Sequence, residues 1–391
     1  MIDYENILNP VVTGIKPSGI RKFFDIAATM DDVISLGVGE PDFPTPWQIR
    51  NTGIRSLEQG HTKYTSNKGL APLCREICTY VHRKYDLTYD PDTEVLVTVG
   101  GSEAIDACLR AIVRPGDEVI IPQPSYVCYE PITQLVGGVP VILETRPEND
   151  FKVTADELRS LITPRTRALI LPYPCNPTGG IMERADLEAV AEVLKDTGII
   201  VISDEIYAEL TFGGLRHTSP ASIPGMWERT ITVNGFSKAF SMTGWRLGYA
   251  CGPAPIIKQM TKIHQFAIMC APTTSQYAAV EALRSGDEAV AKMVEEYDMR
   301  RRLIVSGFNE LGLVCREPKG AFYAFPCITS TGMSSDEFCE ALLRERQVAL
   351  VPGTAFGKGG EGFVRASYCY STEHILEALA RIRAFLDDLK K

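Results

Sequence analysis

The residues Phe236-Ser237-Lys238 and the run Ala239-Phe240-Ser241-Met242-Thr243-Gly244-Trp245-Arg246 place a lysine just past an apolar, strand-like segment, Thr230–Asn234. Burial disfavours the ammonium and lowers a lysine's pKa. A neutral amine attacks an aldehyde to form a Schiff base. The arginine that follows at 246 offers a rigid fork for a phosphate. A ligand with one aldehyde and one phosphate answers to pyridoxal 5′-phosphate. A lysine snorkelling from a core strand explains the segment equally well, so the neighbouring segments must decide.

Further segments carry compatible chemistry. Thr98-Val99-Gly100-Gly101-Ser102-Glu103 runs from a strand through two glycines into a helix start. Bare amides at a helix N-terminus bind phosphate, and glycine permits close approach. Ser102 is also positioned to cap that helix, and a plain tight turn accounts for the composition without a ligand. The spacing is neither a P-loop nor a dinucleotide fingerprint. Tyr126, after a buried strand, can cover a flat ligand or serve as a rim aromatic. Asn176, in Tyr173-Pro174-Cys175-Asn176-Pro177-Thr178-Gly179, has an amide able to donate to a phenolate, and Pro177 or Pro174 is a candidate for a cis bond; turn-prone residues alone also suit this stretch. Asp204 ends the apolar run 199–202. A carboxylate there is costly unless paired; a pyridinium nitrogen would pair it, and it would keep the ring an electron sink. The competing role is a cap for the next helix. Tyr207 stands near enough to reach a phenolic oxygen. Arg365, in the strand-like Phe363–Tyr368, suits a substrate carboxylate or an ordinary surface ion pair. Taken together, these residues stand in order at the ends of successive elements, and the ordinary explanations would all have to coincide.

The elements needed to hold them are legible. Short β-branched or continuous apolar runs at 94–99, 118–122, 139–144, 167–172, 198–203, 230–234 and 247–251 alternate with helical spacings at 102–113 and 184–196. Apolar runs without alternation predict a parallel sheet covered on both faces, an α/β doubly wound domain. From Pro253 to about Leu311 the pattern predicts one long helix bridging two domains. The C-terminal part predicts an α+β module with antiparallel strands, to which the strand-like 34–38 should return. The predicted division is 1–45, an N-terminal arm and part of the small domain; 46–312, the large domain; and 313–391, the rest of the small domain.

The 391 residues, 45% hydrophobic and 23% charged, are those of a globular protein with a large core. A net charge of −9 argues against nucleic-acid binding. The eleven cysteines form no CxxC pair, which predicts reduced, mostly buried thiols. The five histidines show no metal spacing. No run reaches membrane-spanning length and the N-terminus carries no signal-peptide pattern, so the cytoplasm is the expected location.

With Gly37-Val38-Gly39-Glu40-Pro41-Asp42-Phe43, Lys63-Tyr64 with Gly69, Gly100-Gly101-Ser102, Asn176-Pro177-Thr178-Gly179, Ser203-Asp204-Glu205-Ile206-Tyr207, Ser237-Lys238 with Gly244-Trp245-Arg246, and Arg365, the chain resembles the class I/II pyridoxal-phosphate aminotransferases of fold type I from about Lys16 to the C-terminus. The resemblance implies a mostly parallel seven-stranded-type sheet flanked by helices plus a smaller α+β domain. It implies that Lys238 forms the Schiff base and moves the proton between substrate Cα and cofactor C4′. Asp204 pairs with the ring nitrogen, Asn176 and Tyr207 hold the phenolate oxygen, and Tyr126 stacks on the ring. Gly101, Ser102, Glu103 (through backbone amides) and Arg246 hold the phosphate, with Ser237 a weaker candidate. Arg365 grips the α-carboxylate, helped by Asn176 and the Gly39 amide. Tyr64 reaches the neighbouring subunit's cofactor phosphate, so the site needs a homodimer. Many members carry a hydroxyl residue where this chain has Gly235, which leaves one phosphate contact missing or supplied by the turn at Ser102.

The implied reaction moves the amino group of an L-amino acid to a 2-oxo acid, 2-oxoglutarate by family habit, in a ping-pong sequence. A carbon–sulfur β-lyase on the same fold is the nearest alternative. A regulatory domain that senses the cofactor is less favoured, because no helix-turn-helix extension or basic tail precedes Lys16. The substrate side chain is read by loops and the N-terminal segment, here 15–20, which leaves aspartate, alanine and aromatic donors open.

Overall fold

The computed structural model describes residues 2, 4, 6–17, 19, 30 and 32–390; of the stretch 15–20, positions 18 and 20 lie outside the described residues. A seven-stranded sheet takes up the middle of the chain. It comprises β2 (Val95–Thr98), β3 (Glu118–Gln123), β4 (Val139–Glu144), β5 (Thr166–Leu171), β6 (Ile200–Asp204), β7 (Thr230–Gly235) and β8 (Gly248–Cys251), in the order β2-β8-β7-β6-β5-β3-β4. Only β8 runs antiparallel, between β7 and β2; the other neighbours pair in parallel.

The central strands lack polar alternation because both faces are covered. Ile121, Ile170, Ile202 and Ile231 pack on one face with Ile105 and Leu109 of the helix Gly101–Ile112. Ile120, Leu169, Leu171 and Val201 pack on the other with Val190 and Leu194 of the helix Arg184–Leu194. Each such fully buried aliphatic side chain contributes about 2 kcal/mol over exposure.

Two smaller sheets lie apart from this one. β1 (Ile34–Ser35) pairs in parallel with β10 (Val348–Ala349), and β12 (Val364–Ser367) pairs antiparallel with β11 (Val351–Pro352) and β9 (Tyr323–Ala324). The 34–38 run therefore returns to the C-terminal elements, as its pattern predicts. The helix Ser335–Arg346 beside these strands starts with a capping box between Ser334 and Glu337.

The long helix predicted from Pro253 to Leu311 is not continuous. It is three helices, Ala254–Ala267, Thr273–Ser285 and Asp287–Glu310. The first break comes where Met269 adopts φ +75° and Pro272 follows, since proline cannot continue a preceding helix. The second falls at Gly286, where a Cβ would sit 2.4 Å from the Ala282 carbonyl. The bonds before Pro124, Pro174 and Pro177 are cis. No helix among the described residues is long and apolar enough to cross a membrane, and none of their His, Cys, Asp and Glu side chains group for a metal. All eleven cysteines are free thiols.

Candidate active site

In parallel α/β sheets the carboxyl ends of the strands face the ligand crevice. Tyr126 follows β3, Asn176 follows β5, Asp204 ends β6, and Lys238 follows β7. All four line one cavity of about 530 Å³ with Gly39, Gly101, Ser102, Tyr207, Ser237, Arg246 and Arg365. Of the sequence candidates, Glu103 and Tyr64 are outside that lining. Tyr64 is 83% exposed.

Lys238 reaches into the cavity, and its Nζ donates to the Gly39 carbonyl at 2.6 Å. Its amine lies against the rings of Phe322 and Tyr207, at 5.6 and 5.9 Å from their centroids. Burial pushes its pKa down from 10.5 to about 8. Asp204 is buried, and burial pushes its carboxyl up to about 6 against two opposing donors. Tyr129 Oη donates to Oδ2 at 2.8 Å and the Ile206 N–H to Oδ1 at 3.2 Å. No cation is ion-paired with this carboxylate among the described residues, so one cationic partner would relieve its burial.

Arg365 is buried on β12 with no carboxylate partner among the described residues. Its guanidinium lies between the rings of Tyr323 and Phe356, 4.4 and 4.8 Å from their centroids. Nη1 donates to Asn176 Oδ1 at 2.8 Å and Nη2 to the Gly37 carbonyl at 2.5 Å, while Nε has no partner among the described residues. A fixed, desolvated fork of this kind suits a carboxylate. With Oδ1 turned to the guanidinium, the Asn176 NH2 is left to donate elsewhere. Tyr207 Oη is bonded to Tyr323 Oη at 2.8 Å, and burial holds the Tyr207 phenol well above its usual pKa.

The turn between β2 and the helix Gly101–Ile112 forms the other wall. Gly100 takes φ +79°, and a Cβ there would lie 2.8 Å from Arg246 Nη2. Gly248 of β8 packs under the turn, where a Cβ would sit 2.6 Å from the Gly100 carbonyl carbon. First-turn amides have no intrahelical acceptor, and Arg246 has no ion-pair partner among the described residues, so cation and bare amides converge as an anion site. Ser102 is not the cap the sequence suggested. The helix begins one residue earlier, with Gly100 at the N-cap, so Ser102 already lies inside it. Gly235 is hemmed in: a Cβ would lie 3.1 Å from Gly248 Cα, Ile206 Cδ1 and the Leu247 carbonyl.

Sequence reasoning missed the supports. Tyr129 and Tyr323 line the cavity and hold Asp204 and Tyr207. Glu205, wholly buried beside Asp204, is held by Ser203, His217 and Ser219. The one signal for Tyr129 was a second tyrosine one helical turn beyond Tyr126. Tyr126 meets it edge-on, with ring centroids 5.9 Å apart.

The cavity thus offers an anion site beside Arg246, a second at Arg365, a carboxylate awaiting a cation, and an amine whose pKa burial lowers to about 8. The model of the family aminotransferase class I and II matches residues 31–382. The chain belongs to this family. It is 52% identical over 379 residues to the putative aminotransferase YugH of Bacillus subtilis, across 97% of this chain and 98% of that one. It is 47% identical to an aspartate aminotransferase of Pyrococcus abyssi, across 96% of this chain and 97% of the relative. The solved aromatic aminotransferase of Pyrococcus horikoshii superposes with a TM-score of 0.90 at 44% identity, covering 95% of this chain and 99% of that structure. The protein is an aminotransferase, and its fold is that of the solved aminotransferases.

Proposed function

We propose that this aminotransferase carries pyridoxal 5′-phosphate in the 530 Å³ cavity and moves the amino group of an L-amino acid to a 2-oxo acid, 2-oxoglutarate being the acceptor, in two half-reactions that share one site. The observation that carries the reading is the pairing of two buried groups of opposite kind on one cavity, the Lys238 amine and the Asp204 carboxylate, neither ion-paired among the described residues. When bound, the cofactor supplies an aldehyde to receive the amino group and a ring that takes up the electron pair left at Cα.

Every other part of the work falls to side chains of this protein. Lys238 would hold the aldehyde carbon through its amine, and that amine, once free, would take the substrate Cα proton and deliver it at C4′. Its pKa near 8 leaves part of it neutral at physiological pH, as a general base requires. Asp204 holds the proton on the ring nitrogen, and Tyr129 keeps the carboxylate facing the cavity. Asn176 and Tyr207 steady the phenolate oxygen, and Tyr126 covers the ring. The amides of Gly101, Ser102 and Glu103, with Arg246 and the Ser237 hydroxyl, take the phosphate. Gly235 adds no side chain, so the turn around Ser102 carries that share. Arg365, with Asn176 and the Gly39 amide, takes the substrate carboxylate. Tyr64 of one subunit completes the phosphate site of its partner in a homodimer.

The test is a half-reaction panel. Amino donors including aspartate, alanine and phenylalanine are mixed with the cofactor-loaded protein, and the visible absorbance is followed before and after 2-oxoglutarate is added. The expected result is bleaching by the donor and recovery with the acceptor, and loss of both in Lys238→Ala. Full turnover by Lys238→Ala would end this reading. Pyruvate and sulfide released from cysteine or cystathionine without any oxo acid would select the β-lyase instead.

A further inference from the structure

The turn proposed to hold the phosphate is braced from behind by two side chains that take no part in the reaction. Glu103 occupies the first turn of the helix Gly101–Ile112. Its Oε2 accepts from the Val99 N–H and closes a loop around Gly100. Its Oε1 is bonded to Nδ1 of His264, at 2.5 Å. His264 belongs to the helix Ala254–Ala267, packed alongside, and is wholly buried. Its Nε2 is buried too and finds no partner among the described residues.

A buried imidazole with one nitrogen unpaired among the described residues carries a desolvation cost, which the bond to Glu103 must help to offset. Here the carboxylate it holds stands beside amides that would bind a dianion. A Glu103 side chain free to rotate would bring a negative charge towards the phosphate, or would compete for those amides. Drawn back to Val99 and His264, it leaves the amides of Gly101 and Ser102 bare and fixes the positive φ of Gly100.

We infer that Glu103 and His264 are positioning residues that hold the turn 99–102 in its anion-binding shape and keep the Glu103 charge off the ligand. This rests on the reading that the turn holds the cofactor phosphate. The two ideas fail in different proteins of the same experiment.

Binding of pyridoxal 5′-phosphate, pyridoxal and inorganic phosphate to the apoprotein is measured for the wild type and for Glu103→Ala, Glu103→Gln, His264→Leu and His264→Asn. Wild type should bind the phosphorylated aldehyde far more tightly than pyridoxal; equal affinities would remove the underlying reading and this inference with it. Glu103→Ala and His264→Leu should each lose on the order of ten-fold in affinity for pyridoxal 5′-phosphate and for inorganic phosphate, the scale on which supporting residues act on a bound ion. Their affinity for pyridoxal should change little. His264→Asn keeps a donor near the Nδ1 position and should recover most of the loss. A merely structural role would lower the affinities for pyridoxal and its phosphate by one factor, and that result, or no change in either, overturns the inference. If His264→Leu does not fold, the partly exposed Glu103 variants decide the matter by the same ratio.

Discussion

Asp204 and Lys238 make opposite demands on the protein without its ligand, and each has a signature in pH. The Asp204 carboxyl titrates near 6 when folded, above its ordinary 3.8. Between those values the folded state binds more protons, so stability falls as pH rises, and the penalty is complete above about 6. Lys238 is shifted down, from 10.5 to about 8. Its penalty is complete below 8 and fades as pH rises towards 10.5, where the unfolded state binds more protons. Asp204→Asn keeps the shape and an acceptor for Tyr129 but removes the charge. The apoprotein of this variant should be more stable at pH 7, by on the order of 2–3 kcal/mol, with the gain shrinking towards pH 4. Transamination should be lost. Denaturant melts across that pH range check it, and a variant less stable than wild type at pH 7 would refute the cost assigned to this carboxylate.

Asp204 and Lys238 were legible because each sits at or just past the end of an apolar strand, where a charge needs a reason. Their supports were not. Tyr129 lies 75 residues from Asp204, and Tyr323 lies 116 from Tyr207. A tyrosine in an apolar segment reads as core, and nothing in the order of residues announces that its hydroxyl has a partner that far along the chain.

Among the elements, the strand β8 and the turn after β2 depend on one another most closely. Gly248 lies in the pairing of β8 with Thr98 on one side and Gly235 on the other. A Cβ on it would lie 2.7 Å from the Gly101 nitrogen, the first amide of the proposed phosphate turn. Gly248→Ala must therefore push the turn away from the sheet. We expect the secondary structure to persist and the affinity for pyridoxal 5′-phosphate to fall by about ten-fold or more, since small displacements of ion-holding groups weaken binding on that scale. Circular dichroism and cofactor titration check it, and unaltered affinity would show that the turn does not hold the phosphate in this position. Elements of this sheet were readable from continuous apolar runs. The pattern from 254 to 310 reads as one helix only when the two breakers in it, Pro272 and Gly286, are passed over; both breaks were marked in the sequence. Met269 in the left-handed region reflects the packing of neighbours, such as Asn67, whose Nδ2 donates to the Met269 carbonyl at 2.8 Å.

For the whole molecule, the question is where one active site ends. The loop bearing Tyr64 is anchored by Asn67 and by Thr273, which donates to the Lys63 carbonyl at 2.8 Å. Tyr64 itself is 83% exposed. A tyrosine held on an anchored loop yet turned away from its own cavity suits a site completed across a two-fold interface. If so, two crippled proteins can repair each other. Lys238→Ala removes the amine from its own site and still presents Tyr64 to its neighbour. Tyr64→Ala keeps the amine and lacks the neighbour's phosphate contact. Unfolded together in equal amounts and refolded, half of the dimers would be mixed, and each mixed dimer would hold one site with both groups intact. Activity should recover to about a quarter of the wild-type value, above the average of the two parents. Recovery no higher than that average would mean that Tyr64 serves no neighbouring cavity and that each chain carries its whole site.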